Sequence, residues 1–385
     1  RSLVGSEMCI RDRAMVVGGF SPGEADQLRR AMTNWGESDD ISKFQTRLLA
    51  GMKDKGYSDS FSQSTLNQMR GFGGYGFPEA HAASFALLAY ISAWLKNHMP
   101  EIYTTALLNS QPMGFYSCFQ LIQDAKRHGV KVLSLDVQQS NWDCTVEKYR
   151  DGKYALRLGL RIVKGLSDKV GCRIEKKRAM QPFKDLNDLV VRAKLNRAEL
   201  QLLSKANALE TLVGNRHQAN WKALGFRASL PLLPPVIEEA ATPLLPRPKE
   251  GEEVLADFES IGLTLGRHPL ALLRKHLIGD KLSSDLLELG QGTRVKFSGL
   301  VVVRQKPSSA KGVIFLTLED EMGPINVIIW PSLVNTYYNE VMHSKLLSIS
   351  GTVQREGEVV HLIAQALEDR SSLIGQLDTP LRNFC

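Results

Sequence analysis

A chain of 385 residues is too long for one ordinary core and divides into two or three domains. With 43% hydrophobic and 23% charged residues it has a globular composition, and its five scattered cysteines, with no C-x-x-C pair, argue against a zinc ribbon and a disulfide framework. The net charge of +7 is concentrated, because 17 Lys and Arg face 7 Asp and Glu between Asp151 and Arg227, an excess suited to phosphates.

Residues 1–13 lack the apolar stretch of a signal peptide and read as a non-native end ahead of the fold. From 14 to 110 the chain reads helical. Ser21-Pro22-Gly23-Glu24 is a capping box with proline at the first helical position, opening a helix that carries Arg29 and Arg30 and ends near Gly36. Further helices are predicted over 41–55 and 58–70. Gly71 to Pro78 holds too many glycines for a helix and forms a loop. Pro78 then opens a helix through Leu95 that is apolar all round, which marks it as central to a bundle. Its apolar run, Ala82 to Leu95, falls short of the roughly 20 residues that span a bilayer, so no membrane is expected, and the scattered thiols fit a reducing, cytoplasmic setting.

Residues 111–228 connect through a helix near 119–128 to the basic block. Leu158 to Val163, a turn at Lys164-Gly165, and a helix from Asp168 to Arg178 have the shape of a helix-hairpin-helix, whose glycine lets backbone N–H groups face a phosphate. Arg197 to Lys205 followed by Ala206-Asn207-Ala208 repeats the plan, with Asn207 tolerating the left-handed conformation in place of glycine. Residues 229–285 comprise a proline-rich linker and a helical pair broken at Gly266 and Pro269. Over 286–372 five β-rich runs, with a helix near 332–342 between the third and fourth, follow the order of an OB-fold, and 373–385 form a tail. The fold class is therefore mainly α with a C-terminal β domain: helical region, tandem helix-hairpin-helix, OB-fold barrel.

Each charged feature has a bland reading as well. Arg29 and Arg30 could be a solvated helix face and His81 a packed or capping histidine, although a glycine loop running into a helix start suits anionic groups. Arg161, Lys164, Lys169, Arg173 and Lys176, with Gly165 at the turn, have few acids among them, which favours phosphate contact. In the β tail Phe315, Trp330 and His361 could stack on bases, with Arg304, Lys306, Lys311 and Arg355 along a backbone path. There eight basic residues face eight acidic ones between Gln291 and Arg370, and a β core also needs aromatics. Phe315, after the basic loop, is the expected binder and Trp330, locked by Pro331, the expected core residue. Glu319-Asp320-Glu321 reads as a solvated turn, and no carboxylate pair suited to two metal ions occurs. Walker A, H-E-x-x-H and G-x-S-x-G are absent too.

Several longer runs resemble a known family. Ala25-Asp26-Gln27-Leu28-Arg29-Arg30-Ala31-Met32 and the run Gly76 to Leu88 (GFPEAHAASFALL) resemble the fingers of bacterial C-family DNA polymerases, the alpha subunits of polymerase III. Asn109 to Tyr116, Gly262 to Leu270 and Val353 to His361 look like the error-prone branch, and the resemblance runs from about Ala14 to Cys385. It implies a damage-tolerant, mutagenic polymerase that synthesises DNA across lesions, with a RecA-like accessory protein and a catalytically inactive Y-family-like partner that engages the sliding clamp. It also implies that this chain is a C-terminal part: rear of the fingers, tandem helix-hairpin-helix and OB-fold, ending where replicative members continue. The palm carboxylates and their Mg²⁺ would lie elsewhere in the full-length enzyme, leaving the fragment inactive. By the same resemblance Arg29, Arg30 and His81 face the incoming dNTP, and Lys164 to Lys169 grip duplex DNA. Glu79-Ala80-His81-Ala82 departs from the Lys-Ser-His-Ala of replicative members. Two other readings compete, a non-catalytic DNA-binding protein and a DNA ligase. The second requires a Lys-x-Asp-Gly nucleophile and usually a cysteine cluster, and neither occurs.

Overall fold

The computed structural model describes all residues except 1–6, 33–39, 72–78, 115, 228–235, 238–242, 244, 308–309, 311, 376, 378–381 and 385. The chain forms two compact units, residues 1–98 and 99–385.

In the first unit α1 (Glu7–Val16) crosses the boundary expected after residue 13, and α2 (Pro22–Met32), α3 (Asp40–Asp54), α4 (Asp59–Gly71) and α5 (Glu79–His98) follow. The capping box forms: the Ser21 N–H donates to Glu24 Oε2 at 2.8 Å and the Glu24 N–H to Ser21 Oγ at 3.3 Å. Ala14, Phe20, Ala25, Leu28, Leu48, Met52 and Leu66 make one small core. The glycine loop 72–78 lies outside the described residues. Helix α5 departs from the expectation of a central position, since Phe85, Leu87, Leu88, Tyr90 and Trp94 are 43–70% exposed. Apolarity on every side is a demand for neighbours, and the other helices of this unit pack their apolar faces against one another instead.

The second unit opens with α6 (Pro100–Asn109) and α7 (Cys118–Arg127), the latter started by a Ser117–Gln120 capping box. A small sheet unforeseen in the sequence follows: β1 (Lys131–Leu133), β2 (Thr145–Lys148) and β3 (Tyr154–Arg157), with β3 central, parallel to β1 and antiparallel to β2. The helix expected over 158–163 is a single 3₁₀ turn, Leu160–Ile162. The preceding residues are drawn toward the sheet, where the Leu158 N–H donates to Leu133 O (3.1 Å) and the Leu160 N–H to Asn141 O (2.8 Å). Then come α8 (Asp168–Met180), α9 (Leu186–Ala193), α10 (Arg197–Lys205), α11 (Glu210–Val213) and α12 (Arg216–Leu224). Just before the expected linker β4 (Phe226–Arg227) pairs antiparallel with β5 (Val236–Ile237) inside it, ahead of α13 (Glu250–Ser260), α14 (Pro269–Leu273), a 3₁₀ turn Arg274–His276 and α15 (Ser283–Glu288). Phe119, Leu158, Ile174, Leu189, Leu203 and Phe258 are buried in one core that also takes in Leu300, Leu346 and Ile374 from the barrel side.

The barrel is built from β6 (Arg294–Gln305), β7 (Ile314–Glu319), β8 (Pro324–Ile329), β9 (Leu346–Glu356) and β10 (Val359–Asp369) in the order β6-β7-β8-β10-β9, closed by β6 pairing with β9. Two short helices, α16 (Pro331–Thr336) and α17 (Tyr338–His343), replace the single one expected. Inward residues alternate along the strands, as with Ile314, Leu316 and Leu318 on β7 and Ile325, Val327 and Ile329 on β8. The tail is not a plain extension, because β11 (Arg382–Phe384) pairs parallel with Val303–Gln305.

Candidate nucleic-acid interface

The first hairpin turns at Gly165, whose φ of +82° lies in the left-handed region that an L side chain enters at a cost. The Lys164 N–H is taken by Ser260 O at 2.9 Å and that of Leu166 by Val163 O at 3.2 Å, while the amides of Gly165, Ser167 and Asp168 have no acceptor among the described residues. They stand at the head of the 13-residue α8, where the helix dipole adds positive potential. Lys169 and Lys176, seven residues apart and so on one helical face, are exposed and have no ion-pair partner among the described residues. Asp168 is the acid at this turn, and its Oδ1 accepts the Lys169 N–H at 2.7 Å. Bare amides, a dipole and two lysines together make an arrangement whose chemistry suits phosphate oxygens.

Three of the residues expected to meet phosphate are instead committed internally. Lys164 Nζ donates to Phe258 O (2.7 Å) and braces the end of α13. Arg173 donates to Ala193 O and, at 3.2 Å, to Lys194 O, capping α9, with Glu199 3.5 Å away. Arg161 pairs with Asp143 at 2.7 Å. The guanidinium fork suits bridging between helix ends, which charge counting in a sequence cannot distinguish from phosphate binding. Asn207 adopts φ +55° as its type permits. Its Nδ2 donates to Glu210 at 3.0 Å, while its buried Oδ1 has no partner among the described residues.

On the barrel, register aligns Phe315 with Ile328 and Ile328 with Ile363, beside a second row of Thr317, Asn326, His361 and Gln354. Phe315 is half-buried in this outward face. Trp330 is 52% exposed and corrects the expectation of a core residue: Ile329 fills the interior, so the alternation turns Trp330 outward ahead of Pro331. Arg304, expected on the DNA path, is only 5% exposed and donates to Val341 O at 2.6 Å and to Ser344 O, which caps α17, and burial lowers its pKa. Arg355 likewise holds Leu287 O and Leu289 O at the end of α15. Lys306 is exposed, and Lys311 lies outside the described residues. Arg29 and Arg30 fall on α2 and His81 on α5, and their side chains too lie outside the described residues.

The acidic triplet is no solvated turn. Asp320 is 1% exposed and accepts from Arg274 Nη2 (3.0 Å), Ser283 N–H (2.8 Å) and Ser283 Oγ (2.6 Å), while Glu321 pairs with Arg274 at 2.6 Å and Glu319 with Arg127 at 3.6 Å. This cluster joins the barrel to the helices beside it. Burial lifts the Glu319 carboxyl to about 7, against the pull of Arg127, and pushes nearby His268 down to about 4. These carboxylates are engaged by arginines, so they do not fit the pair of Mg²⁺ ions that template-directed synthesis requires. No cluster of metal-ligating side chains and no helix long and apolar enough to cross a membrane occurs among the described residues.

Three family patterns match the chain: the bacterial DNA polymerase III alpha subunit finger domain at residues 9–56, a helix-hairpin-helix motif at 129–219, and an OB-fold nucleic acid binding domain at 287–370. Proteins named error-prone DNA polymerase from Alkalilimnicola ehrlichii, Burkholderia pseudomallei and Methylococcus capsulatus are 48%, 49% and 45% identical over 96% of this chain, covering 36%, 35% and 37% of their own lengths. Among solved structures the likeness is local: asparaginyl-tRNA synthetase from Pyrococcus horikoshii is 19% identical with a TM-score of 0.21, covering 24% of this chain and 23% of that one. By sequence, and by the order of its finger, helix-hairpin-helix and OB-fold regions, the chain belongs to the error-prone DNA polymerases of the bacterial C family and spans about a third of the length of the relatives it matches.

Proposed function

We propose that this chain is the DNA-holding part of a polymerase that copies damaged templates. The turn at Gly165 takes a duplex phosphate on its free amides, Lys169 and Lys176 take neighbouring phosphates, and the barrel face around Phe315 and Trp330 takes an unpaired strand. The observation that carries this reading is the set of unpartnered amides at the head of α8 beside two unpartnered lysines. Arg29, Arg30 and His81 then serve the incoming dNTP. The Mg²⁺ ligands belong to another part of the full-length enzyme, as do contacts with a RecA-like protein and with a Y-family-like partner on the clamp.

Fluorescence anisotropy with labelled duplex and oligo-dT over a salt series tests the DNA-binding reading, and primer extension with Mg²⁺ and four dNTPs tests the division of labour. The expected result is salt-sensitive binding of both ligands with no incorporation above a vector control. Absence of binding at low salt, or extension by this chain alone, overturns the respective half.

A further inference from the structure

The β2–β3 hairpin ends in a tip with no role in the site described so far. Its root is fixed: Asn109 Nδ2 donates to Cys144 O at 2.9 Å, and the Cys144 N–H donates back to Asn109 Oδ1 at 2.8 Å. Ala155 and Leu156 of β3 are fully buried. At the far end the Tyr149 N–H donates to Lys153 O at 2.7 Å, closing a loop of Arg150, Asp151 and Gly152. Beyond that root the side chains face solvent: Tyr149 is 37% and Tyr154 50% exposed, and Lys148, paired in register with Tyr154, is exposed together with Arg150 and Lys153. None of these three cations has an ion-pair partner among the described residues. Glu147, one residue before Lys148, is held by Arg157 Nε at 2.6 Å, while the side chain of Asp151 lies outside the described residues. Arg157 is itself buried against Ser134 O (3.0 Å) and Gln139 (2.7 Å), so the Glu147 charge is compensated at the root and not at the tip.

Two exposed phenol rings flanked by three unpaired cations on a braced hairpin match the chemistry of an unpaired nucleic-acid strand. Ring faces accept bases that are not stacked in a duplex, and the cations meet phosphates. A duplex offers no free base faces, so the aromatics favour single strand. The tip is also well placed along the chain: β3 is four residues long, about 13 Å at the usual rise, and leads into the turn at Gly165. We infer that the β2–β3 tip is a separate single-strand contact, with bases on Tyr149 and Tyr154 and phosphates on Lys148, Arg150 and Lys153. This rests on the reading of the chain as DNA-binding.

The test uses the whole chain and an oligo-dT carrying one 5-iodo-deoxyuridine, read by anisotropy and by mapping the photo-crosslinked peptide. Tyr149→Ala with Tyr154→Ala is expected to weaken oligo-dT binding about tenfold with duplex affinity and melting temperature unchanged, and crosslinks are expected at one or both tyrosines. Tyr149→Phe with Tyr154→Phe should restore binding, since the ring and not the hydroxyl stacks. Wild-type affinity in the double alanine variant, with crosslinks only on the barrel, overturns the inference, as does loss of binding that the phenylalanine pair fails to restore. If wild-type protein binds neither ligand, the DNA-binding reading itself fails, a result distinct from the other two. An acidic protein partner for this tip would appear as full DNA binding in every variant, and so also counts against the inference.

Discussion

The hairpin region and the barrel divide the cations expected to meet DNA in the same way, with arginines bound to protein groups and lysines left in solvent. Around α8, Arg173 caps another helix while Lys169 and Lys176 stay free; on the barrel, Arg304 and Arg355 hold carbonyl groups while Lys306 stays exposed. Lys164, tied to Phe258 O, is the exception. The regions differ in what surrounds the free lysines. At the hairpin they stand beside unpartnered amides, which favour phosphate, whereas the barrel offers aromatic rings on a face of balanced charge, which favours bases. A basic residue near a binding motif is therefore weak evidence until its partners are known.

The largest expected effect tests the inward arginines. Arg304→Ala leaves two or more carbonyl groups at the end of α17 without their donor, at a cost of about 2–4 kcal/mol in stability. Thermal melting should fall clearly, while DNA affinity per folded molecule stays the same; a binding defect without a melting defect would return Arg304 to the DNA path. On the outward face, Phe315→Ala and Trp330→Ala should each cost about 1–3 kcal/mol for oligo-dT and little for duplex. Trp330→Ala should leave the melting temperature nearly unchanged, and a pronounced drop would show that the ring is packed after all.

Smaller effects separate the lysines. Lys169→Ala or Lys176→Ala should reduce the slope of log K against log salt by about one each for duplex DNA. Lys164→Ala should lower stability instead and leave the slope alone, since its ammonium braces α13. Equal slope changes in all three would erase the distinction between committed and free cations.

The smallest effect is in the joint between helices and barrel. Because the folded Glu319 carboxyl titrates near 7 instead of 4.5, the folded state keeps a proton that the unfolded chain has released across that interval. Its contribution to stability is thus fully present below about 4.5 and is lost as pH rises through 7. His268, held down near 4, works the other way, and stability drops as pH falls from 6.5 toward 4 because only the unfolded chain takes up the proton. The two oppose each other between about 4.5 and 6.5, and from about 6.5 to 7.5 the Glu319 loss exceeds the fading His268 gain, so melting curves there are compared between the unaltered chain and the Glu319 variant. Glu319→Gln should flatten the decline seen there in the unaltered chain.

Much of the fold was legible because local chemistry dictates it. The Ser21 capping box, the glycine-free run of α10, the left-handed turns at Gly165 and Asn207 and the five β runs each follow from residue type at a fixed spacing. What escaped depends on partners distant in sequence. Asp320 looks solvated until Arg274, 46 residues earlier, is seen against it. Arg304 looks like a phosphate ligand until the end of α17 is seen beneath it. The hairpin of β2 and β3 did leave a signal, an Asp151-Gly152 pair between a Thr-Val-Glu-Lys run and a Tyr-Ala-Leu-Arg run, which is a common turn signature between short strands. The apolar surface of α5 was misread for a related reason, since hydrophobicity states a need for cover and not where the cover comes from.

The seat of the barrel has a mechanical consequence. Leu300, Leu346 and Ile374 enter the helical core along one flank, and the Arg127 and Arg274 ion pairs grip Glu319 to Glu321 beside the turn between β7 and β8. Strand β10, with 11 residues, is about 35 Å long. With anchorage on one flank, the barrel acts as a lever: a tilt of about 3° at its seat sweeps a point one strand length away through roughly 2 Å, of the order of the spacing between hydrogen-bonded atoms. Small repacking around Arg274 is thereby magnified at the remote side of the barrel, and under the proposed DNA-holding role the stiffness of a few buried ion pairs sets how steadily a strand would be aimed there.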